Sequence, residues 1–130
     1  MNLLGNSTVT CMLPVKDLDR ARRFYEGQLG LKPEGLRPDG KFTYRCGGTT
    51  LALFPKDGGT KADHTAVSFQ VKDIASAIRT LKGAGVVFED YDFPNLKTVE
   101  HVCVLGAEKA AWFLDTEGNI LCLHEDIPQH

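Results

Sequence analysis

VKDLDRA, residues 15–21, returns 56 positions later as VKDIASA, residues 71–77. The likeness runs on in both directions. Residues 15–36 align with 71–88: Ala21 meets Ala77, Arg23 meets Arg79, Gly27 meets Gly83, and with one gap Gly30-Leu31 meets Gly85-Val86. Each copy reads apolar strand, aspartate, amphipathic helix, glycine, strand. Residues 7–15 (STVTCMLPV) alternate, with Val9, Cys11, Leu13 and Val15 on an apolar face and Thr8, Thr10, Met12 and Pro14 on the other, as a half-buried strand requires. Asp17 takes the N-cap position, where a carboxylate accepts from the free amides of the first helical turn, and Asp19 sits where the helix dipole favours an anion. Leu18, Ala21, Tyr25 and Leu29 recur at helical spacing with Phe24 beside them, and Gly30 suits the stop. The second copy repeats the scheme. Thr65, Val67, Phe69 and Val71 form the apolar face, with His64, Ala66, Ser68 and Gln70 opposite; Asp73 caps, Ile74, Ala77, Ile78 and Leu81 give the stripe, and Gly83 and Gly85 end it.

Three strand candidates follow each helix. They are 31–37, 41–46 and 49–54 in the first half, and 86–91, 109–115 and 119–125 in the second, with a further short strand at 99–105. The chain is therefore expected to be one domain over residues 1–130, with module one at 7–54, a linker at 55–63 and module two at 64–125. Each module would be βαβββ, a small sheet with a helix on one face. The less apolar faces of the strands are left to line something else.

Composition narrows the function classes. The length of 130 residues suffices for one real core. A formal charge of -2 provides no basic footprint for nucleic acid. No apolar run approaches a membrane span and no basic-then-apolar leader opens the chain, so a cytoplasmic protein is expected. Cys11, Cys46, Cys103 and Cys122 are scattered without a CxxC pair, which fits reduced thiols rather than a zinc knuckle. No phosphate-binding glycine loop is present.

VKDLDRARRFYEGQLGLKP (15–33), HTAVSFQVKDIASAIRTLKGAGV (64–86) and AAWFLDTEGNILCLHE (110–125) together resemble the vicinal oxygen chelate superfamily of glyoxalases, bleomycin-resistance proteins and extradiol dioxygenases. The last segment is similar to that family's F-x-D-P-x-G-N-x-hydrophobic ending, with Thr116 in place of proline. The resemblance covers nearly the whole chain. It implies an α+β fold in which two tandem βαβββ modules form a cup-shaped mixed sheet with helices on the outer face, commonly as a homodimer. It leaves activity open, because such folds host metal-dependent isomerases, lyases, dioxygenases and thiol transferases beside metal-free proteins that sequester a drug.

The metal ligands discriminate among these. The resemblance places them seven residues before each junction aspartate, in the fourth strand, and four residues after the final turn glycine. Those positions hold Thr10, Ala66, the apolar run LALF (51–54) and Cys122, a set that does not offer the converging N, O or S donors a divalent ion needs. No metal cofactor is therefore expected. The alternative is a displaced divalent-ion site on His64 and His124, which lie two residues from Ala66 and Cys122 and share their faces; a lyase, isomerase or dioxygenase would follow from it. The plain reading makes both histidines rim residues. Cys122 reads as packing rather than as a nucleophile, and His101, beside Glu100, as a surface histidine. Asp115 and Glu117 read as turn chemistry around Gly118-Asn119, and His130 as a terminal residue.

By strand parity the floor of the cup comprises Thr10, Met12, Ala52, Phe54, Ser68 and Cys122, with Trp112 rather than its neighbour Phe113 placed there by the resemblance, Tyr44 a further candidate, His64 and His124 at the rims, and Arg45 placed to meet an anion. The expected function is binding of a small organic molecule. Whether the protein is also an enzyme stays open at this point, and a protein-interaction module is the further alternative.

Overall fold

The structure is a computed structural model that describes residues 4–128; His130 lies outside them. The elements are β1 (Thr10–Val15), α1 (Leu18–Arg22), β2 (Pro33–Leu36), β3 (Phe42–Cys46), β4 (Thr49–Pro55), β5 (Thr65–Gln70), α2 (Ile74–Gly83), β6 (Asp92–Phe93), β7 (Leu96–Lys97), β8 (Cys103–Leu105), β9 (Glu108–Leu114) and β10 (Ile120–Asp126). The fold is α+β, with two modules of the same plan. The N-terminal sheet has the order β1-β4-β3-β2 and the C-terminal sheet β5-β10-β9-β8. In each, the first strand runs parallel to the last and the other pairs are antiparallel. Among the described residues no helix is long and apolar enough to cross a membrane.

Both junction aspartates cap their helices. Asp17 accepts from the Arg20 amide and Asp73 from the Ser76 amide, each at 3.1 Å. α1 then widens into a π-helical stretch over Arg23–Gln28, closed by an i→i−5 bond from the Leu29 amide to the Phe24 carbonyl. Gly30 follows at φ +74, a left-handed conformation that glycine adopts without a Cβ penalty.

The helix after β1 lies between the two sheets. Tyr25 stacks on Tyr44 of the N-terminal sheet at 6.1 Å, while Phe24 meets Phe113 of the C-terminal sheet at 6.4 Å. One continuous core results, joining Leu13, Val15, Leu51, Leu53, Phe42 and Tyr44 to Ile74, Ile78, Phe88, Phe113, Leu121 and Leu123. Alternation then sends the other face of each sheet away from that core.

A polar anchor crosses the same boundary. Glu117, in the turn between β9 and β10, accepts from the amides of Lys16 and Asp17 and from the Nε and NH2 groups of Arg20, all within 3.0 Å. It supplies the negative charge that the N-terminus of α1 favours. Two residues earlier, Asp115 accepts from the Glu117 and Asn119 amides, the Asn119 side chain and the Tyr25 hydroxyl. Asn119 in turn donates to the Pro14 carbonyl. In the second module Glu125 plays the corresponding part, accepting from the Ile74 amide at 2.8 Å. The reading of Asp115 and Glu117 as turn chemistry is thus too narrow, since the turn fastens one module to the other.

Two local expectations are corrected. Residues 86–91 do not form a strand. Phe88 makes an isolated bridge to Phe113, the chain leaves through the β6–β7 hairpin, and the edge of the sheet is taken by β8 at Cys103–Leu105. The second correction is a β-bulge between β5 and β10: Ile120 pairs with Thr65 but Leu121 pairs with Val67, so Ala66 is the extra residue. Parity shifts there, and Thr65 turns to the Trp112 side instead of joining Val67, its hydroxyl accepting from the indole N–H at 3.1 Å.

Candidate functional site

The faces turned away from the core carry the predicted cup residues in cross-strand rows. On the N-terminal sheet Thr10, Thr50 and Arg45 are register partners, followed by Met12, Ala52 and Thr43, and then by Pro14 and Phe54. Met12 is 49% exposed, whereas Ala52 and Thr43 are covered. The 37–41 turn reaches Thr43, to whose hydroxyl Arg37 Nε donates at 3.2 Å. On the C-terminal sheet Ser68, Cys122 and Trp112 form one row, and Gln70, His124 and Ala110 the next.

The C-terminal face is the more elaborate. Trp112 meets Tyr91 edge-to-face, with centroids 5.6 Å apart and planes at 74°. Phe113, its neighbour in sequence, points the other way and is fully buried. Ser68 Oγ and His124 Nδ1 are 2.6 Å apart, and Gln70 donates to Asp126 at 2.9 Å. Hydroxyl, imidazole, amide and carboxylate thus line one side of a strip whose opposite side is aromatic and whose floor is Cys122 and Ala110. Burial pushes the Cys122 thiol up, and hydrogen bonding with Ser68 offsets only part of that. The thiol is accordingly not poised as a nucleophile.

Tyr44 does not belong to this surface. Its register partners are Leu51 and, one strand further, Cys11, which puts it on the helix side. There it is fully buried against Tyr25 and donates to Glu26 at 2.7 Å. A neighbouring strand had suggested it for the cup; the register decides otherwise.

His64 and His124 are not neighbours. β5 and β10 run parallel, and His124 pairs with Gln70 while His64 precedes the first pair, Thr65 with Ile120. Strand rise separates the two histidines by more than about 13 Å. His64 instead lies against the Thr65 carbonyl at 3.1 Å and is exposed. Nor do the resemblance-based positions fit a divalent ion. Thr10 faces Thr50, Ala66 is the bulge residue, Ala52 and Phe54 are apolar, and Cys122 is a buried thiol with a raised pKa. Among the described residues no three His, Cys, Asp or Glu side chains are grouped so as to hold a metal. His101 is set apart from both faces, between Asp90 at 2.9 Å and Lys82 at 3.2 Å.

Sequence reasoning missed Tyr91, Thr65, Arg37 and Thr43. Tyr91 lies in a segment taken for strand, Thr65 is turned by the bulge, and Arg37 arrives from a turn. Only Thr43 had a usable signal, its alternation with Phe42 and Tyr44.

The geometry agrees with the comparisons. A family model described as the glyoxalase/bleomycin resistance protein/dioxygenase superfamily matches residues 8–123. Among solved structures, a member of that superfamily from Sphaerobacter thermophilus is 26% identical, with a TM-score of 0.68 over 92% of this chain and 97% of its own. TnmS3, an antibiotic-binding protein from a Streptomyces species, is 19% identical with a TM-score of 0.67, covering 93% and 96%. FosX, a fosfomycin resistance protein of Listeria monocytogenes complexed with manganese(II) and a dihydroxypropylphosphonic acid, is 16% identical with a TM-score of 0.66, covering 93% and 90%. No curated protein matches the chain.

Proposed function

The chain belongs to the glyoxalase/bleomycin resistance protein/dioxygenase superfamily, and from that premise we propose that it binds a small organic molecule on the helix-free faces of its sheets. Two copies close the site between them, and no divalent ion occupies the positions the resemblance marks. The observation that carries this reading is the Ser68–Cys122–Trp112 row, where a partly exposed indole faces a hydroxyl–imidazole pair above a buried floor. That mixture of aromatic surface and a few oriented polar groups is what small-molecule sites use. The antibiotic-binding neighbour TnmS3 lends support at the level of fold.

A second copy is the fitting cover. β1 and β5 each form one edge of their own sheet, and an open strand edge is a ready template for pairing. The faces they border look away from the chain's own core, so each is half of an enclosure. Four free cysteines suit a reducing compartment, the cytoplasm.

Trp112 is the only tryptophan, which makes the test direct. A panel of small organic molecules is titrated against its emission, with sedimentation run in parallel and metal content measured after equilibration with zinc, nickel, iron(II) and manganese. The expected result is a dimer whose Trp112 responds saturably to part of the panel and which retains no metal. A monomer with unresponsive Trp112 would sink the binding cup and favour a protein-interaction module. Retained stoichiometric metal that His124→Ala abolishes would replace the reading with a metal-dependent enzyme.

A further inference from the structure

The two helix-free faces are chemically unlike, and the difference bears on what they hold. Over the N-terminal face opens a cavity of about 500 Å³ lined by Thr10, Thr43, Thr50, Arg37, Lys41, Pro38 and Asp39. Lys41 is held by Asp39 at 2.6 Å, and Arg45, the register partner of Thr50, reaches Glu34 at 3.4 Å. Arg37 is different. Its Nε is fixed by the buried Thr43 hydroxyl, and the carboxylate paired with it, Glu34, stands 3.8 Å away and is shared with Arg45. Three cations thus meet two carboxylates, and the guanidinium with the loosest pairing overlooks three threonine hydroxyls. The C-terminal face is the reverse. Its strand positions include Ser68, Gln70, Ala110, Trp112, Cys122, His124 and the facing carboxylates Glu108 and Asp126, without a lysine or arginine, and Tyr91 doubles the aromatic wall. Lys109 points to the other side, toward Glu125.

We infer that the ligand of the proposed cup is a planar aromatic molecule bearing an oxyanion. Its ring lies against Trp112 and Tyr91 of one copy, and its anion is held by Arg37, with the Thr10 and Thr50 hydroxyls, of the other. This rests on the two-copy reading above, because each face is the side of its sheet opposite the core that the two sheets share. A guanidinium held by a neutral hydroxyl keeps donors free for a carboxylate, and such charge-assisted bonds are the strong ones. A flat aromatic ring gains from offset-stacked or edge-to-face contact with an indole beyond the area it buries.

The test compares 2-naphthoate, the neutral 2-naphthalenemethanol and the non-aromatic cyclohexanecarboxylate by calorimetry, on the wild type and on Arg37→Gln and Trp112→Leu chains checked for native circular dichroism. The acid is expected to bind at least about tenfold more tightly than the alcohol or the cyclohexane acid. Arg37→Gln removes the preference over the alcohol without weakening the alcohol itself; Trp112→Leu weakens both naphthalenes. Mixing the two variants restores a fraction of the acid sites, because a mixed dimer rebuilds one cup from the intact residue of each copy. Equal binding of acid and alcohol, with Trp112 responding, would overturn the oxyanion and leave the cup standing. Equal binding of the two acids would overturn the aromatic requirement. Failure of the mixture to recover acid binding would overturn the sharing between copies. No heat and no Trp112 response at millimolar concentration of any of the three would overturn both this inference and the cup.

Discussion

Asp115→Ala is expected to lose about 3–5 kcal/mol of unfolding free energy, a large share of what a domain of this size commands. The reason is geometric. One carboxylate satisfies four donors, the Glu117 and Asn119 amides at one oxygen and the Asn119 side chain and Tyr25 hydroxyl at the other, all between 2.7 and 2.8 Å. All three partner residues are buried, so water does not replace the lost acceptor. Burial, reinforced by Asp115, pushes the Tyr25 phenol far above its ordinary range, so that it stays a donor. No buried side-chain nitrogen or oxygen among the described residues lacks a partner; the variant would strip the Tyr25 hydroxyl and the Glu117 and Asn119 amides of their acceptor at once, leaving Asn119 Nδ2 only the Pro14 carbonyl. Asp115→Asn should recover only part of the loss, since its amide group would face donors. Urea unfolding measures both. A loss of less than 1 kcal/mol for the alanine variant would mean that the network is dispensable.

Glu117→Gln should change how stability depends on pH. Burial by itself would raise the pKa of Glu117, but the bonds from Arg20, the Asp17 amide, Thr116 and the Lys16 amide outweigh it and hold the carboxyl at about 2, against 4.5 for a free side chain. A depressed folded pKa means that the ionised group stabilises the fold. Its contribution is complete above about 4.5 and drains away as pH falls toward 2. At neutral pH the glutamine variant should therefore lie about 2–4 kcal/mol below the wild type, with the gap closing through that acid window. Glu26, held down chiefly by Arg22, and Asp39, by Lys41, titrate low as well, and taking the difference between the two proteins cancels their slope. A gap that stays constant between neutral and acid pH would show that Glu117 acts through shape rather than charge.

Much of the fold was legible because it is periodic. The twin junctions, both aspartate caps, the helical stripes and all three later strands of module one follow from local alternation and turn residues, which act over a few positions. The misses arise where partners distant in sequence decide. Residues 86–91 have strand composition, but only Phe88 finds a place beside Phe113, and the pairing edge goes to Cys103–Leu105. Alternation along β5 is regular in the sequence, while the bulge at Ala66 depends on how β10 lies alongside. Tyr44 has the composition of either face, and its pairing with Leu51 settles which. The separation of His64 from His124 follows from parallel pairing, a property of topology that neither strand's own sequence carries. Asp115 and Glu117 look like turn residues because they are turn residues. Their second role appears only once the turn is seated against α1 and Tyr25.

The seating of that turn has a consequence for the nascent chain. The amides of Lys16 and Asp17 are made early, but the carboxylate that receives them belongs to a residue 101 and 100 positions further on. A ribosome builds from the N-terminus at roughly 5–20 residues per second. For several seconds, then, the first module exists with the start of its helix lacking its anion and with Tyr25 lacking its acceptor. Phe24, on its helix, lacks the aromatic partner that Phe113 later supplies. Closure across such distances must meet its entropy before any contact rewards it. The last fifth of the chain therefore acts as a latch. Until it emerges, the first half is without the carboxylates that receive the Lys16 and Asp17 amides and the Tyr25 hydroxyl.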